Sequence, residues 1–114
     1  MNRSLIEQFK LRAAMRRTIR DFFDSNGFTE VETPCLVRTP GTEAYLNYFE
    51  TSWESLRDER ELLYLRSSPE LHMKQALAAG CQKIYQLGPC FRNKGEIGAW
   101  HHPEFTMLEW YHCG

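Results

Sequence analysis

Residues 91–111 read FRNKGEIGAWHHPEFTMLEWY, and this stretch carries the strongest structural signal in the chain. The residues around its start, KIYQLGPCFR, predict one β-strand, and PEFTMLEWYHC predicts the next. About ten residues join these strands, although the loop of a β-hairpin commonly has two to five. Because long loops often carry function, we expect a functional site beside this one.

The second strand has an unusual face. Side chains alternate along a strand, so Phe105, Met107, Glu109 and Tyr111 are predicted to share one side. A carboxylate inside an apolar core is costly unless it is paired. This face therefore either lines a pocket or faces water as a half-exposed surface strand.

Arg92 ends the preceding strand, beside the same loop. Its planar guanidinium suits phosphate oxygens, and Phe105 could stack on a nucleobase. Together they predict a nucleotide site, with Glu109 and Tyr111 facing a second, cationic ligand. The chain has neither G-x-x-x-x-G-K nor G-x-G-x-x-G, so the common glycine-rich phosphate loops are absent. The alternative for Arg92 is a surface salt bridge.

The N-terminal segment SLIEQFKLRAAMRRTIRDFFDSNG predicts a helix. Ser4 and Glu7 have the spacing of a capping box, and Gly27 is a typical C-terminal stop. Three arginines share one face of this helix and indicate either a nucleic-acid stripe or a solvated face with i,i+4 ion pairs. These residues are Arg12, Arg16 and Arg20, and the pairs would be Arg17–Asp21 and Arg20–Asp24.

The middle of the chain predicts further strands and a second helix. FTEVETPCLV is a short strand that bends or stops at Pro34. YLNYFET and ELLYLR are strand candidates joined by a polar, exposed link, SWESLRDER. In SSPELHMKQALAAG, Ser68 is the predicted cap, Pro69 the first helical residue and Gly80 the stop. We therefore predict a single α+β domain over residues 1–114, with an antiparallel sheet flanked by helices.

Composition narrows the class of protein. The chain has 114 residues, 42% hydrophobic and 25% charged, with a net charge of −1. This is the range of one small globular domain, without the charge of a broad nucleic-acid surface. There is no signal-peptide pattern, no membrane-length apolar run and no C-x-x-C pair among four cysteines, so we expect a cytoplasmic protein with reduced thiols. A disulfide framework and a zinc site are alternatives; the zinc ligands would be His101, His102, His112 and Cys113.

The motifs carry a family resemblance. FTEVETPCL resembles the first signature motif of class II aminoacyl-tRNA synthetases, and FRNKGEIGAWHHPEFTMLEWY resembles the second. PEFTMLEWY and LRSSPELHMKQALAAGC are similar to the lysine-specific subgroup, and most of all to its compact paralogues that attach lysine or β-lysine to elongation factor P. The resemblance implies ATP and Mg²⁺ as cofactors and lysyl-adenylate as the intermediate.

The resemblance also implies roles for single residues. Arg92 would be catalytic and bind the α-phosphate, Phe105 would stack on adenine, and Asn93, Lys94 and His102 would lie near the nucleotide. The amino-acid pocket would contain Ser68, Pro69, Glu70, Glu109 and Tyr111. By pattern alone, Glu70 is only an acidic residue in the first turn of a helix, where the helix dipole favours it.

The sequence departs from the family pattern in three places. Lys94 stands where the family usually has a glutamate, and His102 where it usually has an asparagine. The third signature motif is absent, so we expect a partial catalytic domain whose 114 residues alone are inactive. Two alternatives remain open: a non-catalytic module that binds nucleotide or dimerises, and a lysyl-tRNA synthetase that acylates tRNA.

We also predict a homodimer. The family commonly dimerises through the first helix and the strand that follows it. The apolar residues of this helix exceed what half a sheet could cover, and large exposed apolar patches usually mark contacts. The residues in question are Phe9, Ile19, Phe22 and Phe23.

Overall fold

The computed structural model describes residues 3–39, 48–93 and 102–113. Within these ranges the chain forms two helices and six strands. In order they are α1 (Arg3–Ser25), β1 (Thr29–Glu30), β2 (Leu36–Val37), β3 (Phe49–Glu54), β4 (Arg60–Leu65), α2 (Glu70–Ala78), β5 (Lys83–Phe91) and β6 (Glu104–His112). Lys94 and His101, which the sequence analysis discussed, lie outside the described residues.

Both helices end as their glycines predict. At the end of α1, Gly27 has a φ of +80°. Its amide donates to Asp24 O at 3.2 Å, and the Phe28 amide donates to Phe23 O at 3.0 Å. These two bonds form a Schellman motif, which satisfies the last carbonyls of the helix. Gly80, with a φ of +114°, ends α2 in the same way.

The helix starts differ from prediction by one residue. α1 begins at Arg3, so Ser4 lies in its first turn rather than at the cap. The N-cap of α2 is Pro69, not Ser68. The Ser68 hydroxyl still accepts a hydrogen bond from the Glu70 amide at 3.3 Å, so it satisfies one of the orphan donors at the helix start.

The strands form two three-stranded sheets, which confirms the predicted α+β class. The first sheet has the order β1-β5-β6, and the second has the order β2-β4-β3. All pairs are antiparallel except β1 with β5, which is parallel and was not predicted. The segment FTEVETPCLV is interrupted around Pro34, as expected, and therefore contributes one short strand to each sheet.

The link between β3 and β4 is shorter than predicted, because Ser52, Trp53 and Glu54 belong to β3. The turn begins at Ser55, whose hydroxyl accepts hydrogen bonds from the amides of Arg57 at 3.1 Å and Glu59 at 3.2 Å. A serine that binds nearby backbone amides favours a turn over a strand, and this fixes where β3 ends.

The main core lies between α1 and the first sheet. Phe23 is 5% exposed, and its ring stacks on Tyr85 at 4.7 Å between centroids. The Trp110 ring lies 5.5 Å away on the neighbouring strand. Burying a phenylalanine side chain contributes about 1.5–3 kcal/mol. Phe23 therefore attaches the helix to the sheet and does not belong to the uncovered apolar residues, contrary to prediction.

The rest of α1 leaves several large apolar side chains in solvent. Phe9 is 64% and Phe22 is 61% exposed, whereas Ile19 is half-buried. Other exposed apolar residues of this helix are Leu5, Ile6, Leu11 and Met15. Neither helix of the described part of the chain has the length and hydropathy that crossing a membrane requires.

Candidate functional site

The register of the β5–β6 hairpin confirms the face predicted for β6. Phe105 lies opposite Cys90, Glu109 opposite Gln86, and Tyr111 opposite Ile84. Directly opposed residues project to the same side of a sheet. α1 packs on the other side, through Tyr85 and Trp110. The face that carries the predicted ligand residues is therefore the one that α1 leaves uncovered.

Arg92 and Phe105 come together at one end of this face. The Arg92 amide donates to Pro103 O at 2.9 Å, which joins the chain just after β5 to the start of β6. The Arg92 guanidinium carbon lies 5.9 Å from the centroid of the Phe105 ring, at the outer limit of a cation–π contact. Arg92 is exposed and Phe105 is half-buried, so the cation is open to a ligand.

Asn93 and His102 lie at the same end. Asn93 follows Arg92 and is half-buried. His102 is exposed, and its Nδ1 lies 2.9 Å from Glu104 O and 3.1 Å from the Glu104 amide nitrogen. The imidazole therefore contacts the main chain at the start of β6, and its other nitrogen, Nε2, is left for a different partner.

Glu109 and Tyr111 form a hydrogen-bonded pair at the other end of the face. The Tyr111 hydroxyl donates to Glu109 Oε2 at 2.7 Å. Burial raises the pKa of Tyr111, and the bond to Glu109 and the negative charges of Glu109 and Glu70 raise it further. The phenol therefore remains a neutral donor that orients the Glu109 carboxylate.

Glu70, the first residue of α2, belongs to the same cluster. Its Oε1 accepts a hydrogen bond from Lys74 Nζ at 2.7 Å. This bond raises the pKa of Lys74, and the charge of Glu109 adds to the effect. Glu70 and Glu109 thus act electrostatically on the same neighbours, Tyr111 and Lys74. Alternation along β6 could not predict this proximity of Glu70.

Ser68 and Pro69 position Glu70. Pro69 is buried, and its carbonyl accepts the Met73 amide at 2.9 Å in the first turn of α2. Ser68 caps the Glu70 amide, as described above. Their visible role is to fix where α2 starts, and so where the Glu70 carboxylate lies.

Sequence reasoning missed a buried polar network beside this face. Arg66 is 3% exposed and Gln86 is 2% exposed. Thr33 links them, because its hydroxyl accepts from Arg66 Nη1 at 2.7 Å and lies 2.8 Å from Gln86 Oε1, to which it donates. The only sequence signal was an arginine at the end of an otherwise apolar strand, and it did not indicate which carbonyls the side chain would meet.

The arginine face of α1 borders a cavity of about 810 Å³, together with residues 30–35, Arg66 and Phe105. Arg20 Nε lies 3.0 Å from Glu30 Oε1, so the predicted pair with Asp24 is wrong. The Asp24 carboxylate instead accepts a hydrogen bond from the Tyr85 hydroxyl at 3.0 Å.

A second cavity, of about 700 Å³, lies between α2 and the second sheet. The carboxylates of Glu70 and Glu109 line neither cavity.

The described residues contain no cluster of metal-ligating side chains. Across residues 3–39, 48–93 and 102–113, no three His, Cys, Asp or Glu side chains are grouped to hold an ion. Mg²⁺ is usually held by one or two carboxylates together with substrate phosphates, and we assign no chemical step to it. Cys81 and Cys113 are exposed, Cys35 is half-buried, Cys90 is buried, and all four are free thiols.

Comparison with known proteins identifies a family to which the chain is similar. The family model for class II tRNA synthetases (D, K and N) matches residues 1–113. The chain is 50% identical over 101 residues to the elongation factor P–(R)-β-lysine ligase of Hamiltonella defensa, covering 88% of this chain and 31% of that protein. The ligase of the same name from Vibrio cholerae is 47% identical over 110 residues, which are 96% of this chain and 34% of that protein. The chain thus spans about a third of the length of these relatives.

Proposed function

Since this chain belongs to the class II tRNA synthetase family (D, K and N), we propose that it binds ATP and a lysine-type amino acid and takes part in joining them as an aminoacyl-adenylate. The relatives named above are ligases for (R)-β-lysine and elongation factor P. We propose the same substrate class here, with lysine or β-lysine as the amino acid. Elongation factor P would be the acceptor of the activated acyl group.

One observation carries this proposal: one sheet face has a cation and an aromatic ring at one end and the Glu109–Tyr111 pair at the other, where Glu70 of α2 adds a second carboxylate. Phe105 and Tyr111 are six residues apart on β6. At 3.2–3.4 Å per residue the two ends are separated by about 20 Å, which is enough for an extended nucleotide and an amino acid end to end. Anionic phosphates suit Arg92, and the ammonium groups of lysine suit Glu70 and Glu109.

The chemistry needs little covalent work from the protein. The amino-acid carboxylate oxygen attacks the α-phosphorus, a new O–P bond forms, and the bond to the β-phosphate oxygen breaks to release pyrophosphate. Arg92 would stabilise the charge on the α-phosphate, and Phe105 would hold the adenine by stacking. Asn93, Lys94 and His102 would complete the nucleotide side, and Ser68 and Pro69 would shape the amino-acid side. Catalysis would therefore come mainly from positioning and charge stabilisation.

The test is exchange of labelled pyrophosphate into ATP by the 114 residues joined to the remaining part of a homologous catalytic domain, because the 114 residues alone are expected to be inactive. We expect exchange with lysine or β-lysine and none with aspartate or asparagine, because two carboxylates face the amino acid. Arg92→Ala should abolish exchange, which excludes a contaminating synthetase. Arg57→Ala changes an exposed arginine in the β3–β4 turn and should leave it intact. Exchange that prefers aspartate, or that survives Arg92→Ala, would overturn the proposal.

The acceptor needs a separate assay. Incubation with ATP, labelled lysine or β-lysine, and either elongation factor P or tRNA should label the protein and leave the tRNA unlabelled. Labelled tRNA alone would instead identify a tRNA-acylating enzyme.

We further propose that the exposed apolar side chains of α1 form the contact of a homodimer. Large exposed apolar patches commonly mark such contacts, and Phe9 and Phe22 are both more than half exposed. Sedimentation equilibrium should show a dimer that Phe9→Glu converts to monomer. Leu56→Glu is the matched control, because Leu56 is fully exposed in the β3–β4 turn, away from α1. A wild-type protein that is monomeric at high micromolar concentration would exclude this interface.

A further inference from the structure

We propose that Arg66 is a positioning residue that holds the nucleotide side and the amino-acid side of the site in one fixed arrangement. This inference rests on the proposed function, because the two sides are those assigned to ATP and to the amino acid. Arg66 follows β4 and directly precedes the segment 67–70 that places Glu70. Arg66 is 3% exposed, and its guanidinium is hydrogen-bonded to protein acceptors, so we infer that it acts through these partners.

The main chain of Arg66 already joins two separate segments. Its amide donates to Cys35 O at 2.9 Å, in the segment between β1 and β2. Its carbonyl accepts the Phe91 amide at 2.9 Å, at the end of β5. Phe91 is the residue before Arg92, so this bond fixes the base of the proposed phosphate-binding arginine.

The guanidinium makes a second set of bonds to the same segments. Nε donates to Pro89 O at 3.0 Å, on β5. Nη1 donates to Thr33 O at 2.9 Å and to the Thr33 hydroxyl at 2.7 Å, on the opposite segment. An arginine fork can satisfy acceptors on two sides at once because its donors are fixed in one plane. A lysine has one nitrogen and cannot span both.

The network continues beneath the proposed amino-acid site. Gln86 Oε1 accepts the Thr33 hydroxyl at 2.8 Å and the Thr33 amide at 3.2 Å. Gln86 lies directly opposite Glu109 in the hairpin register. Arg66 thus connects, through Thr33 and Gln86, to the strand position beside the Glu109 carboxylate.

Gly88 provides the space for this guanidinium. A Cβ built on Gly88 would lie 3.1 Å from Arg66 Nη2, closer than ordinary van der Waals contact. The neighbour is the end of a flexible side chain, so an added methyl would displace the guanidinium by a few tenths of an ångström without blocking folding. Gly88→Ala should therefore shift the Arg66 guanidinium slightly and leave its charge unchanged.

The arrangement predicts a particular kinetic signature. Each ligand touches residues on its own segment, so binding of ATP or the amino acid alone needs little help from Arg66. The reaction needs both ligands in register, and a misplacement of 1 Å can cost about a hundredfold in rate. Arg66→Lys should therefore lower kcat by about tenfold to a hundredfold. The KM values for ATP and for lysine should change less than about threefold.

The experiment measures kcat and both KM values by pyrophosphate exchange in the same completed catalytic domain, with rates normalised to active sites titrated by adenylate formation. Gly88→Ala should also lower kcat while the KM values stay nearly unchanged, but the loss in kcat should be smaller, about threefold. Arg60→Lys is the matched control at the other end of β4, because Arg60 forms an exposed ion pair with Glu54 at 3.4 Å. It should match the wild type. Unchanged kcat in both variants at Arg66 and Gly88, or a loss explained by fewer folded sites, would overturn the inference.

Amide hydrogen exchange separates this inference from the proposed function. Arg66→Lys should speed exchange at the Thr33 and Phe91 amides at least tenfold and leave the buried Ile84 amide unchanged. Equal protection at Thr33 and Phe91 would refute the positioning role even in a protein that activates lysine. If the wild type shows no pyrophosphate exchange, the proposed function fails, and local deprotection then shows whether Arg66 still connects the two segments.

Discussion

The two faces of the β5–β6 hairpin are built from alternate residues of the same strands, yet they differ in kind. On the helix side, Tyr85 and Trp110 pack against Phe23 of α1. On the opposite side, Gln86 is buried and bonded to Thr33, and Glu109 and Tyr111 form a half-buried polar pair. One face gains its stability from apolar burial. The other keeps charged and hydrogen-bonding groups because a ligand, rather than a helix, is proposed to cover it.

This difference teaches that fold and site can be changed separately. Strand alternation places neighbours in sequence on opposite faces, so Tyr85 and Gln86 serve different purposes although they are adjacent. Substitutions on the helix side should change the free energy of unfolding and leave ligand affinity intact. Substitutions on the site side should do the reverse.

The largest effect is expected from Phe23→Ala. Removing a buried phenylalanine leaves a cavity against Tyr85 and should lower the free energy of unfolding by about 3–5 kcal/mol. Chemical denaturation measures this loss. Phe22→Ala is the matched control on the next residue, which is 61% exposed, and should cost less than about 1 kcal/mol. Equal losses in the two variants would mean that Phe23 does not attach the helix to the sheet.

Next is Arg92→Ala, on the other face. Loss of a charge-assisted contact should weaken ATP binding by about 1.5–3 kcal/mol, because the proposed phosphate partner is ionised. Calorimetry measures the affinity, and the denaturation midpoint should stay near that of the wild type. Phe105→Ala should weaken ATP binding by about 1–3 kcal/mol through lost stacking. A double variant that binds ATP like the wild type would show that this end of the face is not the nucleotide side.

A smaller effect is expected from Tyr111→Phe. The change removes the 2.7 Å bond to Glu109 and keeps the ring. Without this donor the Glu109 carboxylate is less well oriented, so lysine affinity should fall by about 1 kcal/mol, or roughly fivefold. Equilibrium dialysis with labelled lysine measures it. If neither Tyr111→Phe nor Glu109→Gln changes the lysine affinity, Glu109 and Tyr111 do not bind the amino acid.

The parts of this molecule that sequence could predict are those governed by local rules. Gly27 and Gly80 ended their helices because a left-handed C-terminal residue needs no distant partner. The alternation of side chains along a strand was enough to predict that Phe105, Glu109 and Tyr111 share one face of β6.

Features that depend on distant partners were not predictable. The parallel pairing of β1 with β5 joins residues more than fifty positions apart. The bonds of Arg66 go to main-chain carbonyls of Thr33 and Pro89, and a carbonyl carries no side-chain signal. Ser55 set the end of β3 by binding amides, where composition alone suggested a longer polar link. Local signals therefore located the proposed ligand residues, whereas the network that holds them in place required the fold.

The last expected effect appears only at high pH and concerns the helix side. Burial and the bond to Asp24 raise the pKa of Tyr85 to about 12 from its ordinary value of 10. The folded protein therefore binds this proton more tightly than the unfolded chain does. The resulting stability is complete below pH 10 and is lost as the pH rises from about 10 to about 12. Tyr85→Phe keeps the stack on Phe23 and removes the titrating group, so the difference in unfolding free energy between wild type and variant should narrow across this interval. Urea denaturation at several pH values measures it, with Tyr64→Phe on the second sheet as the control. A difference that stays constant from pH 9 to pH 12 would show that the Tyr85 hydroxyl is not held by Asp24, and the helix side would then rest on ring packing alone.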